Sequence, residues 1–123
     1  MYTVFRITGS PEMVSDIAPA MEAINVGSMP KVDARVRGDG YAVGLCDHPD
    51  WENHIATISW FIESNRDALA LARASGGTLA VDVAVEPGDV GDAPWLSITV
   101  HEDLMNALSS VGARFIVSLY GVD

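Results

Sequence analysis

Apolar and polar positions alternate in several short runs of this chain, and the alternation predicts strands. From Tyr2 to Thr8, Thr3, Phe5 and Ile7 fall on one face and Tyr2, Val4 and Arg6 on the other. From Lys31 to Arg37, Val32, Ala34 and Val36 alternate with charged residues. Gly38-Asp39-Gly40 then turns the chain into a run from Tyr41 to Cys46, the chemistry of a hairpin. Leu79, Val81, Val83 and Val85 alternate with Ala80, Asp82, Ala84 and Glu86. Leu96, Ile98 and Val100 give a fifth run, and Phe115, Val117 and Leu119 a sixth.

Between these runs the apolar spacing lengthens to that of a helix. Ser10 is a cap, Pro11 suits the first helical position, and Met13, Ile17, Met21 and Ile24 form a stripe. Pro19 within it predicts a kink or a restart, and Gly27-Ser28-Met29-Pro30 a break. After His48-Pro49-Asp50, the residues Trp51, Ile55, Ile58 and Ile62 mark a second helix. Asn65 can cap a third, carrying Leu69 and Ala72 and closed by Gly76-Gly77. Pro87 to Pro94 reads as an acidic loop. From about His101, Leu104, Leu108 and Val111 face inward until Gly112 stops the last helix.

The order is β-α-β-β-α-α-β-β-α-β. It predicts one α+β domain over residues 1–123, a two-layer sandwich with about six mostly antiparallel strands and helices on one face. The ends partly repeat: Arg6-Ile7-Thr8, Glu12-Met13-Val14 and Ile17 match Ser97-Ile98-Thr99, Asp103-Leu104-Met105 and Leu108 in order. The uncovered sheet face would show Tyr2, Arg6, Asp33, Arg35, Asp82, Ser97, Thr99, Ser118 and Tyr120, with Trp95 at its margin. From this face we take Arg6, Arg35, Asp82, Trp95, Ser118 and Tyr120 as candidate ligand- or partner-binding residues.

Charge narrows the partners. Up to Arg37 four basic residues balance four acidic ones; from Gly38 onward three basic residues meet thirteen acids, which carries the whole net charge of −10. A surface this acidic repels phosphates, so nucleic acid is not expected as a partner; the charge suits either solubility alone or the steering of a basic protein partner. No apolar run approaches the roughly 18 residues of a membrane span. The start of the chain lacks the basic and apolar regions of a signal peptide. One cysteine, Cys46, cannot form an internal disulfide and suits a small apolar position in a reducing compartment. The expectation is a bacterial-type cytoplasmic protein with no membrane association.

Reactive constellations are sparse. The dense cluster is Asp47-His48-Pro49-Asp50-Trp51-Glu52-Asn53-His54, in which Asp50 and His54, four apart, are weak metal candidates. The same residues suit an N-cap and an exposed helix position, and no Cys-x-x-Cys or His-Glu-x-x-His pattern supports a metal. No serine has a nucleophile-elbow setting, and Cys46 lies beside Leu45 on an apolar strand, where thiols are inert. His101 belongs to a helix start. Gly76-Gly77 ends a helix instead of opening one, so it is no phosphate loop. Trp51, Trp60 and Phe61 read as core or helix–sheet contacts. No cofactor is implied.

The opening Phe5-Arg6-Ile7-Thr8-Gly9-Ser10-Pro11-Glu12 is similar to the start of the domain of unknown function 4279 family. The close also resembles that family: Leu96-Ser97-Ile98-Thr99, then Asp103-Leu104-Met105, Leu108, Gly112-Ala113 and Phe115 through Leu119-Tyr120. Gly38-Asp39 resembles a further family feature, while the tryptophan-rich middle fits less well. The resemblance covers the two ends, under half of the chain, and implies a small bacterial domain without transferable catalytic residues.

Three functions remain open from the residues. The first is a non-enzymatic interaction protein, concretely an immunity-type inhibitor that meets a basic toxin domain through its acidic surface or open sheet. The second is a regulatory domain in which Arg6 or Arg35 pairs with an anionic small molecule beside Tyr120 or Trp95. The third is a small metal-dependent enzyme using His48, Asp50 and His54. The open face could equally bind a second copy of the chain, giving a homodimer.

Overall fold

The structure is a computed structural model and describes residues 1–24, 40–91 and 96–121. The expected strand at 31–37, its turn at Gly38-Asp39, and the candidates Arg35 and Trp95 lie outside the described residues.

Among the described residues four strands form one open sheet in the order β2-β1-β3-β4: β1 (Tyr2–Thr8), β2 (Gly40–Asp47), β3 (Thr78–Val85) and β4 (Arg114–Leu119). β1 pairs antiparallel with β2 and β3, and β3 pairs parallel with β4. The described residues also form five helices: α1 (Pro11–Glu22), α2 (Trp51–Ser64), α3 (Arg66–Ala74), the single turn α4 (Pro87–Val90) and α5 (Glu102–Val111). A parallel pair needs a crossover, and α5 supplies it between β3 and β4.

The alternation of β1 is expressed fully. Thr3, Phe5 and Ile7 are sealed at 0 % exposure, while Arg6 and Val4 are half-buried. Phe5 meets Phe61 of α2 with ring centroids 5.1 Å apart. The Tyr41 hydroxyl donates to the Val14 carbonyl of α1, tying β2 to that helix at 3.0 Å. Burial holds the Tyr41 phenol above its ordinary pKa, with Glu22 adding to the effect. Leu79, Val81, Val83 and Val85 complete the same buried face. Gly40 is needed where β2 enters beside β1, because a Cβ there would lie 2.1 Å from the Ile7 carbonyl oxygen.

The helices follow their stripes. Ser10 accepts from the Met13 amide at the start of α1, and Met13, Val14, Ile17 and Met21 are buried. Pro19 does not divide this helix, which runs as one element past it. A proline near the last turn removes one backbone bond without stopping a helix that sheet packing holds in place. In α2, Trp51, Ile55, Ile58, Phe61 and Ile62 are buried, and Leu69 and Ala72 anchor α3. Leu104, Leu108 and Val111 anchor α5, which stops at Gly112 in the left-handed conformation with φ 66°. There the Arg73 guanidinium donates to the Gly112 carbonyl.

Four expectations are corrected. Residues 96–100 form no strand: the Trp51 indole N–H takes the Thr99 carbonyl at 2.9 Å, while Ile98 and Val100 pack half-buried on the core. Their alternation reflects one-sided contact without a ladder, so Ser97 and Thr99 are not on the sheet and the terminal repeat is only partial. Residues 87–90 form the helical turn α4 within the expected acidic loop. Trp60 is exposed at 41 %, unlike its neighbour Phe61. On β4, Val117 and Leu119 are exposed although their register partners Val83 and Val85 are buried, so the buried face ends before the sheet does.

Candidate functional site

The register brings Arg6, Asp82 and Ser118 together on the face opposite the core. Val4 stands beside Asp82, Arg6 beside Ala80, and Ala84 beside Ser118, so these residues share one side of three adjacent strands. The Arg6 guanidinium approaches Asp82 Oδ2 at 3.5 Å, and the Ser118 hydroxyl donates to Asp82 Oδ1 at 2.7 Å. Asp82 is thus held from both sides and holds Arg6 in turn.

Above this group lies a cleft of about 440 Å³. Val4, Arg6, Asp82 and Ala84 make its floor, Tyr2 and Tyr120 stand along it, and Asp47, Glu86 and Asp89 surround it. These acids come from separate places: the end of β2, the residue after β3, and α4. The α4 turn is fastened by the Glu86 amide donating to Asp89 Oδ2 at 2.7 Å. The other Asp89 oxygen pairs with the Met1 amine, which holds the Asp89 carboxyl below the usual carboxylate range. Among the described residues four carboxylates thus line a cleft with one guanidinium, engaged by Asp82, and the Met1 amine, engaged by Asp89. Asp47 and Glu86 have no ion pair among the described residues.

A second recess of about 370 Å³ adjoins the cleft and shares Glu86 and Tyr120 with it. Val85, Pro87, Val90 and Leu119 make it largely apolar. The combined surface is acidic at one end, apolar at the other, with a tyrosine between.

The metal candidates serve the fold. Asp50 is the N-cap of α2 and accepts from the Glu52 amide at 3.2 Å. His54 is not on an exposed helix position as expected; it is fully buried. Its Nε2 lies 2.6 Å from the His48 carbonyl and its Nδ1 2.6 Å from the Thr3 hydroxyl. A carbonyl only accepts, so Nε2 carries the hydrogen and Nδ1 accepts from Thr3. Burial lowers the His54 pKa, which favours this neutral ring. His48 accepts from the Asp50 amide through Nδ1 at 2.9 Å. Among the described residues no three His, Cys, Asp or Glu side chains converge as a metal would need.

Cys46 is half-buried, and burial raises its thiol pKa, which opposes nucleophilic use. His101 stands at the N-cap of α5. No helix among the described residues is long and apolar enough to cross a membrane.

Of the six candidate binding residues, Arg6, Asp82, Ser118 and Tyr120 fall at or beside the cleft. Asp47, Glu86 and Asp89 were not among them. Their signal was only the excess of acids after Gly38, which says nothing of where each lies in space. No protein-family model, curated protein or solved structure matches this chain.

Proposed function

We propose that this chain is a non-enzymatic interaction protein whose acidic cleft receives a cationic group of its partner. The observation that carries the reading is the surplus of carboxylates around the cleft, where Asp47 and Glu86, beside Tyr2 and Tyr120, have no ion pair among the described residues. Carboxylates and aromatic faces both attract ammonium and guanidinium groups. An immunity-type inhibitor of a basic toxin domain fits this chemistry, since the toxin would offer a lysine or arginine side chain. The adjoining recess would accept a neighbouring apolar side chain.

The alternative of a small-molecule regulatory domain keeps the site but reverses the ligand's charge. An anion beside Arg6 would have to displace Asp82 and face Asp47 and Glu86, so a cationic or amphipathic amine is the better fit. The metal-dependent enzyme is the weakest reading because both ring nitrogens of His54 are already spent on the fold and Asp50 Oδ1 caps α2. A two-layer arrangement, membership in the domain of unknown function 4279 family, and a bacterial cytoplasmic setting belong to the same proposal.

Calorimetric titration with an oligolysine peptide and with spermidine tests it. Binding should weaken as salt rises, and the paired change Asp47→Asn with Glu86→Gln should weaken it about tenfold or more. The matched control, Glu12→Gln with Asp67→Asn, removes the same charge from exposed helix positions. Equal losses in the two double variants would reduce the effect to net charge and overturn the cleft as the site.

A further inference from the structure

The geometry points to a symmetric dimer in which β4 of two copies pair antiparallel and each Arg114 enters the other copy's acidic cleft. Among the described residues β4 pairs only with β3, so its second edge is open. That edge is flanked by exposed apolar side chains: Ile116, Val117, Leu119 and Tyr120. It is also where acids stop. Between Asp103 and Asp123 the sequence has none, in a chain with seventeen. An open apolar strand free of negative charge is a pairing template, which isolated edges normally avoid by carrying charge.

Symmetry and the backbone choose the register. The Tyr120 amide donates to the Val85 carbonyl, so Tyr120 points its peptide groups toward β3. Along a strand these directions alternate, and Phe115, Val117 and Leu119 therefore turn their N–H and C=O groups outward. The register that uses the whole strand sets Val117 opposite the partner's Val117 and Phe115 opposite the partner's Leu119. It sets Arg114 opposite the partner's Tyr120. It also keeps both open faces on the same side, because Arg114, Ile116 and Ser118 share a face with Asp82.

Charge then explains why the occupant is a second copy. Among the described residues Arg6 pairs with Asp82, Arg66 with Glu63, and Arg73 with the Gly112 carbonyl. Arg114 has no such partner there. Opposite the partner's Tyr120 it stands at the rim of the cleft on the side of Glu86, which has no ion pair among the described residues. Each copy thereby completes the other's site. The edge pairing stands on β4 alone; only the placement of Arg114 rests on the cation-binding reading above.

Sedimentation equilibrium of the full chain tests this directly. The expected mass is that of a dimer at micromolar concentration, and Val117→Lys, a change at an exposed position, should return it to a monomer with an unchanged circular dichroism spectrum. Arg114→Glu should raise the dimer dissociation constant about tenfold or more. In a Cys46→Ser background, Val117→Cys should oxidise to a covalent dimer, since a hydrogen-bonded antiparallel pair holds its Cα atoms about 5.5 Å apart, within disulfide reach. A monomeric mass throughout, or a dimer that survives Val117→Lys or resists cross-linking at 117, would overturn the edge pairing. A dimer indifferent to Arg114→Glu would overturn the shared site. Repeating the spermidine titration on the Val117→Lys monomer separates the two claims: with Arg114 withdrawn from the cleft, binding should be tighter than in the dimer, and no binding to the monomer would remove the cleft reading while the mass result stands.

Discussion

β1 and β4 have similar alternating sequences and opposite fates. β1 is hydrogen-bonded on both sides, and its apolar set of Phe5 and Ile7 lies at 0 % exposure. β4 has one described neighbour, and Val117 and Leu119, on the same side of the sheet, stand 44 % and 68 % exposed. Alternation therefore states which side chains share a face. Whether that face is covered depends on where the helices end. The difference also separates roles: the central strand holds the fold, and the outer strand and its end carry the surface proposed here to meet other molecules.

The largest expected contrast is between the two strands themselves. Phe5→Ala should cost about 3–5 kcal/mol in urea unfolding, because it opens a cavity against Phe61. Leu119→Ala should stay within about 0.5 kcal/mol in the monomer, as for other exposed positions. Comparable losses at both positions would show that β4 is buried in solution.

The next test concerns the buried polar contact between β1 and α2. Thr3→Val removes the hydroxyl that donates to His54 Nδ1 and should cost about 1–3 kcal/mol by leaving that nitrogen unsatisfied. The same contact predicts a pH effect. The folded-state pKa of His54 is lowered from 6.5, so the unfolded chain binds the proton more readily. Stability is then complete above that value and falls as pH drops from it toward the folded-state pKa. Unfolding midpoints measured across this range should decline on acidification, and the decline should shrink in His54→Gln. No change in slope would remove His54 as its source.

Smaller effects belong to the helix ends. Gly112→Ala should cost about 1–2 kcal/mol, since φ is 66° and a Cβ would collide with the Arg73 guanidinium. Asp50→Ala should cost about 1 kcal/mol through loss of the α2 cap. Thermal unfolding of each variant checks both.

Local rules made much of this legible. The cap at Ser10, the stripes of α1, α2 and α5, and the stop at Gly112 depend on neighbours a few residues apart, and the sequence shows those neighbours. The runs at Leu79–Val85 and Tyr2–Thr8 are as regular as any strand. Residues 96–100 were misread because Ile98 and Val100 pack against the core from a segment whose carbonyl at Thr99 is taken by an indole. His54 was misread because its partners, Thr3 and the His48 carbonyl, are set by the docking of α2 on β1. The cleft was half legible. Parity placed Arg6, Asp82 and Ser118 on one face, but Asp47, Glu86 and Asp89 meet only through the strand order β2-β1-β3, which no local pattern encodes.

Chemical-shift mapping addresses the cleft residue by residue. With spermidine added to isotope-labelled Val117→Lys protein, whose cleft no second copy fills, at moderate salt, the shifts should concentrate at Tyr2, Arg6, Asp47, Glu86 and Tyr120. Shifts of equal size spread over the acids of α1, α2 and α5, with none favouring these five, would contradict recognition of a cation at this place.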